Sequence, residues 1–116
     1  MRVVVYGGRD FTNEAVVKLL LDQLHEEYGF TLVIDGAAKG ADSLAHAWAI
    51  SRNIATLRFP AEWNKYGRGA GPIRNRQMIV EGKPDVAVAF PGGAGTSNMT
   101  KQLAEFGIET RFVIKK

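Results

Sequence analysis

Residues 91–96, Pro-Gly-Gly-Ala-Gly-Thr, have the composition and spacing best suited to a chemical task, and that task is holding a phosphate. They follow the apolar run 86–90 and precede a segment with helical spacing. Glycines let the backbone approach an anion closely, and the first amides of a helix lack intrahelical acceptors at the positive end of its dipole. Thr96 and Ser97 can add hydroxyl donors. The loop is not a Walker A sequence, because no Gly-Lys-Ser/Thr follows, and Asn98 stands where Gly-x-Gly-x-x-Gly would end in glycine. Its alternative is a tight three-glycine turn without a ligand. Pro91, Gly92, Gly93, Gly95 and Thr96 are therefore the first candidate ligand-binding residues.

Three more constellations carry groups that could share such a site. In Tyr6-Gly7-Gly8-Arg9-Asp10-Phe11 a guanidinium can reach a phosphate, while Asp10 can hold that guanidinium or bind a ribose hydroxyl. An Arg9–Asp10 pair of purely structural meaning is the alternative. In residues 35–42, Gly36 sits in a turn and Asp42 either opens a helix, favoured by the dipole, or touches a ligand. Residues 59–76 form a long connection for a chain of 116 residues, and long loops tend to carry function. Within it Trp63 or Tyr66 can stack on a base, and Arg74 or Arg76, beside Asn75, can meet phosphate; a core or dimer role for either aromatic is the rival reading. Asp10 and Glu62 are the first carboxylates that could serve catalysis, with Asp42 a third. His25 and His46 fall in helical segments away from these loops and read as ordinary helix residues, so no metal constellation is visible and no cofactor is expected.

Charge and composition narrow the partners. The net charge is +3, and residues 63–76 hold Lys65, Arg68, Arg74 and Arg76 without an acid, which suits an anionic partner or simply a solvated basic loop. With 46% hydrophobic and 23% charged residues the chain has the composition of a soluble globular domain, and one domain fills residues 1–116. The longest apolar run, 16–21, is broken by Lys18, far short of the roughly 20 residues of a membrane span. The absence of cysteine removes disulfides, thiolate metal sites and a cysteine nucleophile. A cytoplasmic location is the default expectation.

These groups need elements to position them. Residues 2–6, 31–34, 55–59, 86–90 and 111–114 are short runs rich in Val, Ile, Leu and Phe, the pattern of strands buried on both faces. Between them, residues 13–28 carry Val16, Val17, Leu20, Leu21 and Leu24, and residues 41–52 carry Leu44, Ala45, Trp48 and Ala49, both with helical spacing. Residues 72–81 and 96–106 complete the alternation, which predicts a doubly wound α/β fold: a parallel five-stranded sheet with helices on both faces. Thr12 or Asn13 can cap the first helix, and Gly29, Gly82 and Gly107 can end the first, third and fourth helices in left-handed caps. The other ten of the 13 glycines follow strands, which concentrates them on the carboxyl edge of the sheet, where open α/β folds bind ligands.

Four motifs in order, GGRDF, GAAKGADSLA, WNKYGRGAGPIRNRQM and AFPGGAGT, make the chain resemble the SLOG superfamily, specifically its YspA/cpYpsA-related branch. The likeness spans nearly the whole chain. It implies a Rossmann-like sheet of order 3-2-1-4-5, a nucleotide-type ligand, frequent homodimers, and relatives that include the LOG phosphoribohydrolases and the DNA-processing protein DprA. In the phosphoribohydrolases the phosphate loop reads PGGxGTxxE, and its glutamate acts with an arginine on an N-glycosidic bond. Here Met99 occupies that position, and a thioether can neither stabilise oxocarbenium-like charge nor position water. The leading expectation is a binder of a nucleotide or nucleotide-derived small molecule that senses or sequesters it. The alternatives are an N-glycosidic hydrolase using a displaced carboxylate and a single-stranded nucleic-acid binder.

Overall fold

The apolar runs become strands in a computed structural model that describes residues 1–113. Strands β1 (Arg2–Tyr6), β2 (Leu32–Asp35), β3 (Ala55–Arg58), β4 (Val86–Ala89) and β5 (Glu109–Phe112) pair in parallel, in the order β3-β2-β1-β4-β5. Between them run helices α1 (Glu14–Tyr28), α2 (Ala41–Ser51), α3 (Trp63–Tyr66), α4 (Ala70–Val80) and α5 (Ala94–Glu105), with a 3₁₀ turn at Gly67–Gly69. This is the Rossmann-like α/β sheet that the alternation and the resemblance imply, strand order included.

Alternation along each strand sorts the core into two layers. Val3, Val5, Val33, Val86 and Val88 face α1 and α2, where they meet Val17, Leu21, Ala45 and Trp48. Val4, Tyr6, Ile34, Ala87 and Ala89 point the other way, onto Met78 and Ile79 of α4 and Met99 and Leu103 of α5. Because both faces are covered, the central strands have no polar side and read as continuous apolar runs. Burying a side chain such as Leu21, Ile34 or Leu103 contributes roughly 1.5–3 kcal/mol, so the two layers rather than the loops stabilise the fold. No helix among the described residues is long and apolar enough to cross a membrane.

The boundaries differ from expectation where local chemistry overrides hydropathy. β5 begins at Glu109, two residues before the expected run, since Val86 pairs with Glu109 and Ala89 with Phe112; as an edge strand it tolerates the polar Glu109, Thr110 and Arg111. Residue 114, the expected end of that strand, lies outside the described residues. The connection 59–76 is less irregular than expected, because α3 and the 3₁₀ turn fill it and α4 starts at Ala70. Pro72 is then the third residue of α4, where its missing N–H forfeits no intrahelical bond. α1 is capped by Asn13, whose Oδ1 accepts from the Val16 amide at 3.1 Å, and Gly29 and Gly107 take the left-handed conformation at φ 68° and 71°. Gly82 does not; Lys83 adopts φ 51° instead, and Gly82 is required because a Cβ there would collide with the Met78 carbonyl and approach Ile34 Cδ1 at 3.0 Å.

Candidate functional site

The connections that leave β1, β2, β3 and β4 all emerge at the carboxyl edge of the sheet and enclose a cleft of about 1110 Å³. Ligand pockets typically measure about 300–1000 Å³, so the cleft has the size of a small-molecule site. Most of the residues expected to touch a ligand line this cleft, while Tyr66, Arg76 and Ser97 do not. Gly7, Gly8 and Arg9 come from the β1–α1 loop; Gly36 and Asp42 come from the β2–α2 connection. Trp63, Arg74 and Asn75 come from the segment after β3, and Pro91, Gly92, Gly93, Gly95 and Thr96 from the β4–α5 loop. Of the catalytic candidates, Asp10 and Asp42 line the cleft, whereas Glu62 is exposed beside it in a shallow depression with Asn64 and Lys65. Tyr6, Arg68, Met78 and Met99 also line the cleft; Tyr6 opens the first glycine constellation, Arg68 belongs to the basic run, Met99 stands at the glutamate position of the resemblance, and Met78 left no signal in the sequence.

Two glycine loops meet across the switch point between β1 and β4. The Gly8 amide donates to the Pro91 carbonyl at 2.8 Å, and the Gly8 carbonyl accepts from the amides of Phe11 and Ala41, each at 3.2 Å. A Cβ on Gly92 would lie 2.6 Å from Gly8 N and against Thr96 Oγ1, so this pair is glycine for internal packing. Gly93 and Gly95 are different: both are exposed, and a Cβ on either meets nothing within 4 Å. α5 opens at Gly93 with no side-chain cap, and its first intrahelical bond runs from the Ser97 amide to the Gly93 carbonyl at 3.0 Å. The amides of Gly95 and Thr96 thus have no intrahelical acceptor and lie at the positive end of the helix dipole, beside the cleft. α1, whose start Asn13 caps, shows what such an end looks like when the chain satisfies it.

A buried chain of hydrogen bonds fixes the cleft floor. Asn75, 3% exposed, donates through Nδ2 to Asn98 Oδ1 at 3.1 Å and to the Gly95 carbonyl at 3.3 Å. Its Oδ1 accepts from Arg74 Nε at 3.0 Å, and Arg74 Nη1 donates to the Gly36 carbonyl at 2.5 Å. Asn75 therefore ties the arginine to the first turn of α5. Burial lowers the Arg74 pKa from its ordinary value, against the opposing pull of Asp42, while nearby Arg9 lowers it further. Asp42, 4% exposed, turns its carboxylate back from α2: Oδ2 accepts from the Gly36 amide at 3.0 Å and the Ala38 amide at 3.4 Å. Burial, followed by the charge of Asp35, pushes its carboxyl up to about 6 despite Arg74. Asp35 is wholly buried and serves structure, its Oδ1 accepting from Arg58 Nε at 2.9 Å and the Ala37 amide at 2.7 Å.

The remaining groups divide cleanly. Arg9 and Asp10 are exposed, and no ion pair joins them among the described residues. Trp63 is 49% exposed at the cleft wall rather than in the core, while Tyr66 lies outside the cleft under Lys65, whose Nζ is 5.1 Å from the ring centroid. Arg76 also points away, packing 5.6 Å from the Phe106 ring centroid, so Arg74 is the arginine of that pair that lines the cleft. Met99 is 1% exposed and packs in the α4–α5 layer with Tyr6 and Met78. Among the described residues no group of three His, Cys, Asp or Glu side chains could hold a metal ion.

Residues 1–66, more than half of the chain, match the family model of the YspA, cpYpsA-related SLOG family. The chain belongs to that family. The match contains the GGRDF and GAAKGADSLA loops, while the phosphate-loop candidate lies beyond it. This SLOG chain is 33% identical over 115 residues to the Gene 61 protein of Mycobacterium phage D29, covering 92% of the chain and 91% of that protein. Its fold is similar to the X-ray structure of DNA processing protein A (DprA) from Streptococcus pneumoniae, with a TM-score of 0.51 at 18% identity. That match covers 95% of the SLOG chain and 58% of DprA, so the chain spans a little over half the length of this neighbour, and what the two share is the fold.

Proposed function

We propose that the cleft binds a nucleotide or nucleotide-derived small molecule and that the chain senses or sequesters it, as a cytoplasmic homodimer. The observation that carries this reading is the open start of α5. Gly93 and Gly95 have empty space where a side chain would stand, and Arg9, Arg68 and Arg74 line the same cleft. The phosphate sits on residues 91–96, and the exposed ring of Trp63 offers a stacking face for a base.

Binding without turnover is favoured because Met99, buried in the α4–α5 layer, holds the position of the glutamate that the resemblance assigns to hydrolysis. Asp10 and Asp42 are the catalytic candidates that line the cleft, Asp10 the exposed one of the two. Chromatography for released base after long incubation with AMP would show turnover, and Asp10→Asn would show whether Asp10 carries it.

Calorimetry with AMP, ADP-ribose, NAD and cyclic nucleotides tests the binding. Gly93→Asp puts a carboxylate at the phosphate position without a clash, so affinity should fall at least tenfold while the melting temperature stays unchanged. If no ligand of this set binds the wild-type chain, the reading fails.

A second reading rests on the exposed Trp63 and Tyr66 beside Lys65 and Arg68, and on the structural neighbour being a DNA processing protein: single-stranded nucleic acid as partner. Phosphate contacts would make that binding steeply salt-dependent. The absence of a mobility shift at low salt would remove it.

A further inference from the structure

Resting on the nucleotide-binding reading, one oxygen in the cleft specifies more about the ligand. The Asp42 carboxylate lines the cleft, and Oδ2 is taken up by the Gly36 and Ala38 amides. Oδ1 makes no hydrogen bond among the described residues. It is not fully enclosed either, unlike the unpaired Asp35 Oδ2, His46 Nδ1 and Arg58 Nη2, and its residue lines the cleft. The nearest cation does not quench it: Arg74 directs Nη1 to Gly36 and Nε to Asn75, and no Asp42–Arg74 ion pair forms within 4.0 Å among the described residues.

An ionised carboxylate is an acceptor only. Its open oxygen repels phosphate and is satisfied by an O–H or N–H group, through a charge-assisted hydrogen bond. We infer that Asp42 reads a neutral hydrogen-bond donor of the ligand, a sugar hydroxyl or an exocyclic amine, and so distinguishes a donor-bearing phosphate ester from a bare anion. The cleft then has two ends of opposite preference, the α5 start for the phosphate and Asp42 for the donor. A site whose polar groups require a donor discriminates strongly against analogues that lack it, because the carboxylate is left unpaired.

Calorimetric titration of AMP, 2′,3′-dideoxy-AMP, purine riboside 5′-phosphate and inorganic phosphate separates the sources of that donor. The dideoxy compound lacks both ring hydroxyls and the purine riboside lacks the amine. The wild-type chain should bind AMP at least tenfold more tightly than one of the two truncated nucleotides, and the one that loses affinity identifies the donor. Asp42→Asn, which keeps an acceptor for the two loop amides, should bring that ratio close to one. In the wild-type chain the Asp42 carboxyl carbon-13 resonance should move with AMP and stay still with inorganic phosphate. An unchanged ratio in Asp42→Asn, or equal affinity for all the nucleotides in the wild-type chain, overturns the role of Asp42 and leaves nucleotide binding standing. If the wild-type chain binds none of the four compounds, the role of Asp42 falls, and nucleotide binding falls with it only when ADP-ribose, NAD and cyclic nucleotides also fail to bind.

Discussion

Asp42 shows how much a single residue can cost a fold. Its carboxyl titrates near 6 in the folded chain, above the unfolded value close to 4, so the folded state holds the proton more tightly between those pH values. The stability this contributes is fully present below about pH 4 and is lost as pH rises through about 6; two pKa units correspond to about 3 kcal/mol. Asp42→Asn should therefore raise the melting temperature at about pH 8 and leave it nearly unchanged at about pH 4. An equal shift at both pH values would contradict the cause given. The sequence placed Asp42 at a helix start or on a ligand but could not indicate its burial, because neither Asp35 nor Arg74 is near it until the sheet forms. Asn75 is a similar case. Its type and neighbours suggested ligand contact, and the fold uses all of its polar atoms to join Arg74 to α5.

Element boundaries were legible where a cap or a glycine marks them and blurred where exposure replaces hydropathy. Asn13 and Gly29 bound α1 as expected. β5 was misplaced by two residues because an edge strand need not be apolar, and α3 was missed because four residues give no periodicity to read. The left-handed cap expected at Gly82 is not formed there: the constraint on it is the close approach of the Met78 carbonyl and Ile34, a contact that the sequence does not display. Gly82→Ala should accordingly destabilise by about 1–3 kcal/mol, the usual cost of overpacking, and lower the denaturation midpoint without changing the denaturant slope. A variant as stable as wild type would show that the loop after α4 can shift freely.

For the whole molecule, alternation of apolar runs and helical segments was enough to predict the α/β class, and the resemblance supplied the strand order that periodicity cannot contain. That order brings the β1 and β4 loops together, and with them Gly8 and Pro91, 83 residues apart in the chain. The expected homodimer was not legible at residue level. The proposed dimer would bury the exposed apolar side chains of Ile73 (38%) and Val80 (47%) on α4 and of Phe106 (46%), the residue after α5. Light scattering of the purified chain should give twice the mass of 12.7 kDa, and Phe106→Glu should return it to the monomer mass. A monomeric wild-type chain would remove the dimer from the proposal.

The two tryptophans have a practical use that follows from their placement. Trp48 is 1% exposed, with its indole Nε1 donating to Asp22 Oδ1 at 2.8 Å, whereas Trp63 is 49% exposed at the mouth of the cleft. One indole is thus a constant emitter locked in the core, and the other is a natural fluorophore at the place where a ligand would arrive. Occupancy can be followed by quenching or a colour shift of Trp63 emission in the unlabelled chain, with Trp63→Phe supplying the Trp48 background.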